Sequence, residues 1–115
     1  MPAKDPRRRS PARRRAVIAA VMASEDVCWL CGRPVDKTLP PRLPGSPEVD
    51  EDIPVSRGGS PFDRANCHLV HKACNLIKHN HSTAWARARL GHPDAIRQPT
   101  TADTAAAIRV NRPFD

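Results

Sequence analysis

The chain has 115 residues, 39% of them apolar and 3% aromatic, with thirteen prolines and a formal charge of +7. No apolar run approaches the roughly 20 residues of a membrane-spanning helix, and four aromatic side chains (Trp29, Phe62, Trp85 and Phe114) are too few to line a large apolar pocket. These figures leave a single small domain that needs more than an apolar core to fold, and a polyanion as its natural partner.

The first fifteen residues hold Lys4, Arg7, Arg8, Arg9, Arg13, Arg14 and Arg15 against Asp5, which is six of the seven net charges. Pro2, Pro6 and Pro11 keep residues 1–11 extended, and a segment with no apolar surface to bury is expected to be disordered by itself. Arginines in such an arm suit phosphate contact, which needs no base sequence; a solubility tail is the other reading. A helix is predicted over Pro11–Ser24, where Val17, Ile18, Ala20, Val21 and Met22 recur at helical spacings. The run from Ala16 to Ala23 is too short, and lacks a cleavage site, for an export signal. An intracellular, cytoplasmic location is therefore expected.

Cys28–Pro34 (CWLCGRP) reads as a tight turn. Asp36–Pro47, with four prolines and Gly45, reads as a loop. A short strand is expected over Val49–Ile53, ended by Pro54. It lies in a cluster of four acids in five residues, Glu48, Asp50, Glu51 and Asp52. A solvated acidic loop and a divalent-cation site are the two readings of that cluster. Arg57–Asn66 is a loop and Cys67–Val70 a second strand. Helices follow over Lys72–His81 and Thr83–Leu90, the latter stopped by Gly91. The alanine-rich Thr101–Val110 reads as a weak helix. The layout is thus an arm at 1–11, a helix at 12–26, a domain at 27–91 and a tail at 92–115.

Cys28 and Cys31 form CxxC; His71 and Cys74 form HxxC, forty residues after Cys31. Two such knuckles each supply two ligands along one edge of a tetrahedron, as a structural zinc requires. A redox CxxC should open a helix in a thioredoxin-like sheet, for which the chain is too short, and a secreted disulfide scaffold would need an export signal. Cys67 is the spare: a buried small apolar residue, or a poorer substitute for His71. Metal binding would supply folding free energy that the small core lacks.

The order of CxxC, VDEDIPVSRGG (49–59) and NCHLVHKACN (66–75) resembles the HNH endonuclease family in its small zinc-stapled form, found in bacteria and bacteriophages. The resemblance covers roughly residues 27–81. It implies a small α+β fold: a ββα-metal unit stapled by structural zinc, flanked by an N-terminal helix and C-terminal helices. It implies a DNA-cleaving phosphodiester hydrolase, with Mg²⁺ or Mn²⁺ at a second, catalytic site and products carrying 5′-phosphate and 3′-hydroxyl ends. By the family pattern Asp50 and Asn75 are catalytic-metal ligands, and Asn66 is a catalytic-site residue that orders the loop and orients the general base. His79, four residues beyond Asn75, is a third-ligand candidate or an exposed histidine at a helix end. DNA phosphates would meet Arg7, Arg8, Arg9, Arg13, Arg14, Arg15, Arg57 and Lys78.

One departure bears on catalysis. Glu51 stands where the family has its general-base histidine, whose pKa suits taking a proton from water near neutrality. Glu51 could act as base, bind metal or mark a lost activity, and His68 on the opposing strand could substitute. The rival functions are a non-catalytic, zinc-stabilised DNA-binding protein and an interaction module, such as an accessory of a phage packaging or recombination assembly.

Overall fold

The computed structural model describes residues 6–97, so the expected helix at Thr101–Val110 and the start of the arm lie outside the described residues. The fold is a small α+β unit with one two-stranded antiparallel sheet and four helices. Helix α1 spans Pro11–Ser24, strands β1 and β2 span Pro47–Glu51 and Cys67–His71, and helices α2, α3 and α4 span Lys72–Lys78, Thr83–Leu90 and Pro93–Arg97. Among the described residues, no helix is long and apolar enough to cross a membrane.

Helix α1 follows the predicted bounds, with proline in its first turn, where its missing N–H does no harm. Its buried stripe is narrower than its apolar content suggested. Val17 and Val21, four residues apart, are buried, whereas Ile18 is exposed. Residues 6–9, read from sequence as extended arm, form a 3-10 turn. Beyond α1 the chain becomes extended at Glu25, whose carboxylate accepts from the Leu69 amide (3.0 Å) and pairs with Arg64 (2.9 Å) and His68 Nδ1 (3.0 Å).

Burial pushes the Glu25 carboxyl up, but the Leu69 amide, His68 and Arg64 together outweigh it and hold the group below its ordinary value of 4.5. A depressed folded value means that this stabilisation is complete above about pH 4.5 and is lost as pH falls through the folded pKa. Glu25→Gln is expected to lower stability by about 1.5–3 kcal/mol at pH 7 and to flatten the acid limb of the stability curve. Urea denaturation of both proteins from pH 7 to 3 measures this. Parallel acid limbs would remove Glu25 as a source of the slope.

The proline loop is ordered because its carbonyls have work to do. Lys72 N–H donates to Ser46 O and Ala73 N–H to Pro44 O (both 2.9 Å), satisfying two of the orphan donors at the start of α2. Ser46 is buried; its hydroxyl donates to Pro40 O and accepts from the Leu43 amide. Strand β1 starts two residues earlier than expected, at Pro47, since the first residue of a strand tolerates a missing N–H. It pairs from Pro47 opposite His71 to Glu51 opposite Cys67. Helix α2 ends three residues earlier than expected, because His79 takes a positive φ of 49°. Helix α3 keeps its predicted bounds, with Ser82 accepting from the Trp85 amide (3.0 Å) and Gly91 closing it at φ 74°.

The buried apolar set is Val17, Val21, Cys28, Leu30, Cys31, Val35, Cys67, Leu69, Val70, Cys74 and Ala86. Four of these eleven are cysteines, and none is aromatic. The sheet and α1 thus meet over a thin aliphatic layer, with the knuckle at one end.

Candidate metal centre and the cavity beside it

The knuckle is built by short-range hydrogen bonds. Cys28 N–H donates to Arg33 O (2.8 Å) and Gly32 N–H to Cys28 O (2.9 Å), with Gly32 at φ 81°. A residue with a Cβ at position 32 would be strained there and would also meet the ring of Pro93. Trp29 N–H donates to Leu69 O (2.8 Å), which fastens the turn to the edge of β2. His71, the last residue of β2, and Cys74, in α2, complete the group.

The four donor atoms of Cys28, Cys31, His71 and Cys74 lie within 4.8 Å of one another. His71 Nδ1 is 3.4 Å from Cys31 Sγ and 3.8 Å from Cys74 Sγ, close to the tetrahedral edge of roughly 3.5 Å set by zinc–nitrogen and zinc–sulfur bonds. His71 Nε2 lies 3.0 Å from Pro34 O. Donation there assigns the ring proton to Nε2 and leaves the Nδ1 lone pair facing the sulfurs, the second-contact arrangement that orients a ligating imidazole. Burial, and then the nearby Cys28 and Cys31 sulfurs, push the Cys74 thiol far above its ordinary range. The cluster can hold a structural metal such as zinc. The spare Cys67 is buried near Arg14 and outside this group, and burial raises its thiol.

An open cavity of about 610 Å³ lies between α1, β1 and α2. Asp50, Glu51, Asn75 and His79 line it together, joined by Glu48, Arg7 and Arg14. Asp50 Oδ2 accepts from Lys78 Nζ (3.0 Å), and Asn75 donates its amide N–H to Glu48 Oε1 (2.9 Å). Burial raises the Asp50 carboxyl above its ordinary value; Lys78 opposes this and Glu51 adds to it. Glu51 is almost wholly buried, with a bidentate Arg7 (2.6 and 3.2 Å) and Arg14 (3.1 Å) on its two oxygens. Among the described residues, only the Cys28–Cys31–His71–Cys74 group brings three or more such donors to one point.

Asn66 serves its loop. Its Oδ1 accepts from Ile53 N–H (2.8 Å), and its Nδ2 donates to Ile53 O and Ser60 O (both 3.1 Å). Gly59 fits beneath this bracket, since a Cβ there would run into Ile53 O and the Asn66 amide.

Several expected positions differ in surroundings. Lys78, expected to meet phosphate, is fully buried, its ammonium on Asp50 and Glu51 O (3.1 Å). Arg7 and Arg14 face inward onto Glu51, whereas Arg8, Arg9, Arg13, Arg15 and Arg57 are exposed, Arg13 stacking over Phe62. His68 sits opposite Asp50 in the register, yet its ring stacks on Trp29 at 3.6 Å and lines a separate cavity with Glu25 and Arg87. The Arg7 and Arg14 pairing with Glu51, and the Lys78 pairing with Asp50, span 28 residues or more. No local pattern announces such contacts. Comparisons with known protein families, with curated proteins and with solved structures found no match.

Proposed function

We propose that the protein is a zinc-stapled, divalent-metal-dependent DNA endonuclease of HNH type, in which β1, β2 and α2 act as the ββα-metal unit and zinc occupies the Cys28–Cys31–His71–Cys74 group. The observation that carries this reading is that Asp50, Glu51, Asn75 and His79, drawn from β1 and from the end of α2, share one open cavity beside a strongly basic N-terminal segment.

The donor chemistry suits Mg²⁺ or Mn²⁺: the Asp50 carboxylate, the Asn75 amide oxygen and the His79 imidazole, with a second carboxylate at Glu48. Such an ion, when bound, would polarise a phosphodiester and stabilise the leaving 3′ oxygen. The remaining roles belong to the chain. Glu48 holds the Asn75 amide nitrogen, which fixes the sense of that amide and keeps its oxygen as the acceptor. Lys78 holds Asp50 from inside the fold. Glu51 takes a proton from water only once Arg7 withdraws. Arg7, its side chain 42% exposed against 12% for Arg14, is the partner able to leave, and a DNA phosphate competes for its guanidinium. The exposed arginines add sequence-independent phosphate contacts.

A second reading, a non-catalytic zinc-stabilised DNA binder or accessory protein of a phage assembly, draws support from one feature. Both oxygens of Glu51 are held by arginine, and the lysine ammonium on Asp50 already supplies positive charge there.

Supercoiled plasmid with Mg²⁺, Mn²⁺ or no added divalent ion separates the two. The parent is expected to nick only with added metal. Asn75→Ala, which removes one hydrogen bond to Glu48, should keep its fold and lose nicking at least a hundredfold. Glu51→Ala should also lose nicking. Retarded mobility without nicking under every metal would favour the binder, and full cutting by Glu51→Ala would remove the base assignment alone.

A further inference from the structure

We propose that the exposed face of α3 is a stacking platform for unpaired nucleotide bases, so that the preferred ligand of this protein carries a single-stranded segment. The proposal deepens the nucleic-acid reading above and rests on it.

Three side chains at four-residue intervals build the platform. The His81 ring stacks on Trp85 with centroids 3.7 Å apart and planes 21° from parallel, and the Arg89 guanidinium lies 5.4 Å from the Trp85 ring. Trp85 remains 37% exposed, and its helix neighbours Ala84 and Ala88 are small and exposed, leaving the rim of the indole open. The other tryptophan is used differently. Trp29 is packed between His68 and Arg87, and its indole N–H points to Asp52.

Charge selects the partner. Of the arginines and histidines between Arg64 and Pro93, Arg89, His79 and His81 are the exposed ones, and the Asp52 carboxylate meets α3 at its first residue, Thr83. An aromatic ring flanked by a guanidinium and an imidazole suits a polyanion with flat π faces. Base-on-aromatic stacking with arginine beside it is the usual means of holding single strands without reading their sequence. Paired bases inside a duplex do not offer that face.

The position relative to the cavity gives the arrangement sense. His79 lines the cavity, and His81, whose amide donates to Lys78 O (2.8 Å), begins the stack two residues later. Two residues span at most roughly 7 Å, about two stacked nucleotide steps of roughly 3.4 Å. The cavity and the stack are therefore adjacent along the chain, and a strand with a phosphate in the cavity can run on toward Trp85, its base extending the column or replacing His81 in it.

The test compares the parent, Trp85→Ala and Trp85→Phe by fluorescence anisotropy. The probes are a labelled 20-nucleotide single strand and the blunt duplex of the same sequence, at one salt concentration and with no added divalent ion. Trp85→Ala should lose roughly five- to hundredfold in single-strand affinity, as expected for one stacked base, and less than twofold on the duplex. Trp85→Phe should keep most of the single-strand affinity. Equal loss on both ligands, no loss on the single strand, or a Trp85→Ala effect confined to the protein's oligomeric state in gel filtration would each overturn the proposal. Because no cleavage is involved, an unreactive plasmid together with Trp85-dependent single-strand binding would sink the nuclease reading and leave this one standing.

Discussion

A Cys74→Ser variant is expected to purify without its metal and to lack the cooperative thermal transition of the parent. Serine nearly matches cysteine in volume, so the change tests the ligand rather than the packing. The apolar side chains buried besides the cysteines are Val17, Val21, Leu30, Val35, Leu69, Val70 and Ala86, none of them aromatic. Structural zinc contributes about 10–16 kcal/mol near neutral pH, as much as the whole net stability of about 5–15 kcal/mol in ordinary domains. A metal in this group would reinforce the hydrogen bonds that already tie the knuckle to β2 and the proline loop to the start of α2. The knuckle carries Cys28 and Cys31, the end of β2 carries His71, and α2 carries Cys74. Losing one corner releases α2 from the knuckle and with it one wall of the cavity. Metal analysis and far-ultraviolet circular dichroism read both effects. Stoichiometric zinc with an unchanged melting curve in Cys74→Ser would remove the staple.

The second large effect lies at Glu51. Arg14→Met is expected to cost about 3–5 kcal/mol, because it strips one cation from a carboxylate whose side chain is 3% exposed. It also leaves Pro61 O and Val49 O without the guanidinium donors that reach them at 2.7 and 3.3 Å. Arg7→Ala should cost less, since its half-exposed side chain lets water replace it. The double variant Glu51→Met with Arg14→Met should recover a large part of the loss, as removing both members of a buried pair costs less than orphaning one. Urea unfolding of the parent, Arg14→Met, Glu51→Met and the double variant closes the cycle. Strictly additive losses would mean that Glu51 and Arg14 do not depend on each other.

The same contacts bear on the proposed chemistry. A general base must reach water, and Glu51 as held here reaches arginine. Its burial makes it a stabilising element, and the proposed base role would require Arg7 to move.

Much of this protein was legible from residue types and spacing. The bounds of α1 and α3 follow from proline at one start, serine at the other and glycine at one end. The ligand group follows from CxxC and HxxC, because a knuckle is a local structure and its donors are fixed by a few backbone angles. The hydrogen bonds of Asn66 to Ile53 and Ser60 lie in the loop where the resemblance, not the spacing, put that residue. What the sequence could not decide is how charges pair across the fold. Lys78 reads as a surface cation in any linear pattern, and only the packing of α2 on β1 turns it inward to Asp50. Arg7 and Arg14 read as phosphate contacts, and only the seating of α1 beside β1 turns them onto Glu51. Ion pairs between distant segments depend on which faces meet, and those faces are chosen by burial of the aliphatic layer, not by the charges themselves. Sequence alone determined the local chemistry, the paired Cys/His knuckles and the acidic strand; tertiary packing decided which carboxylates would be held, and by what.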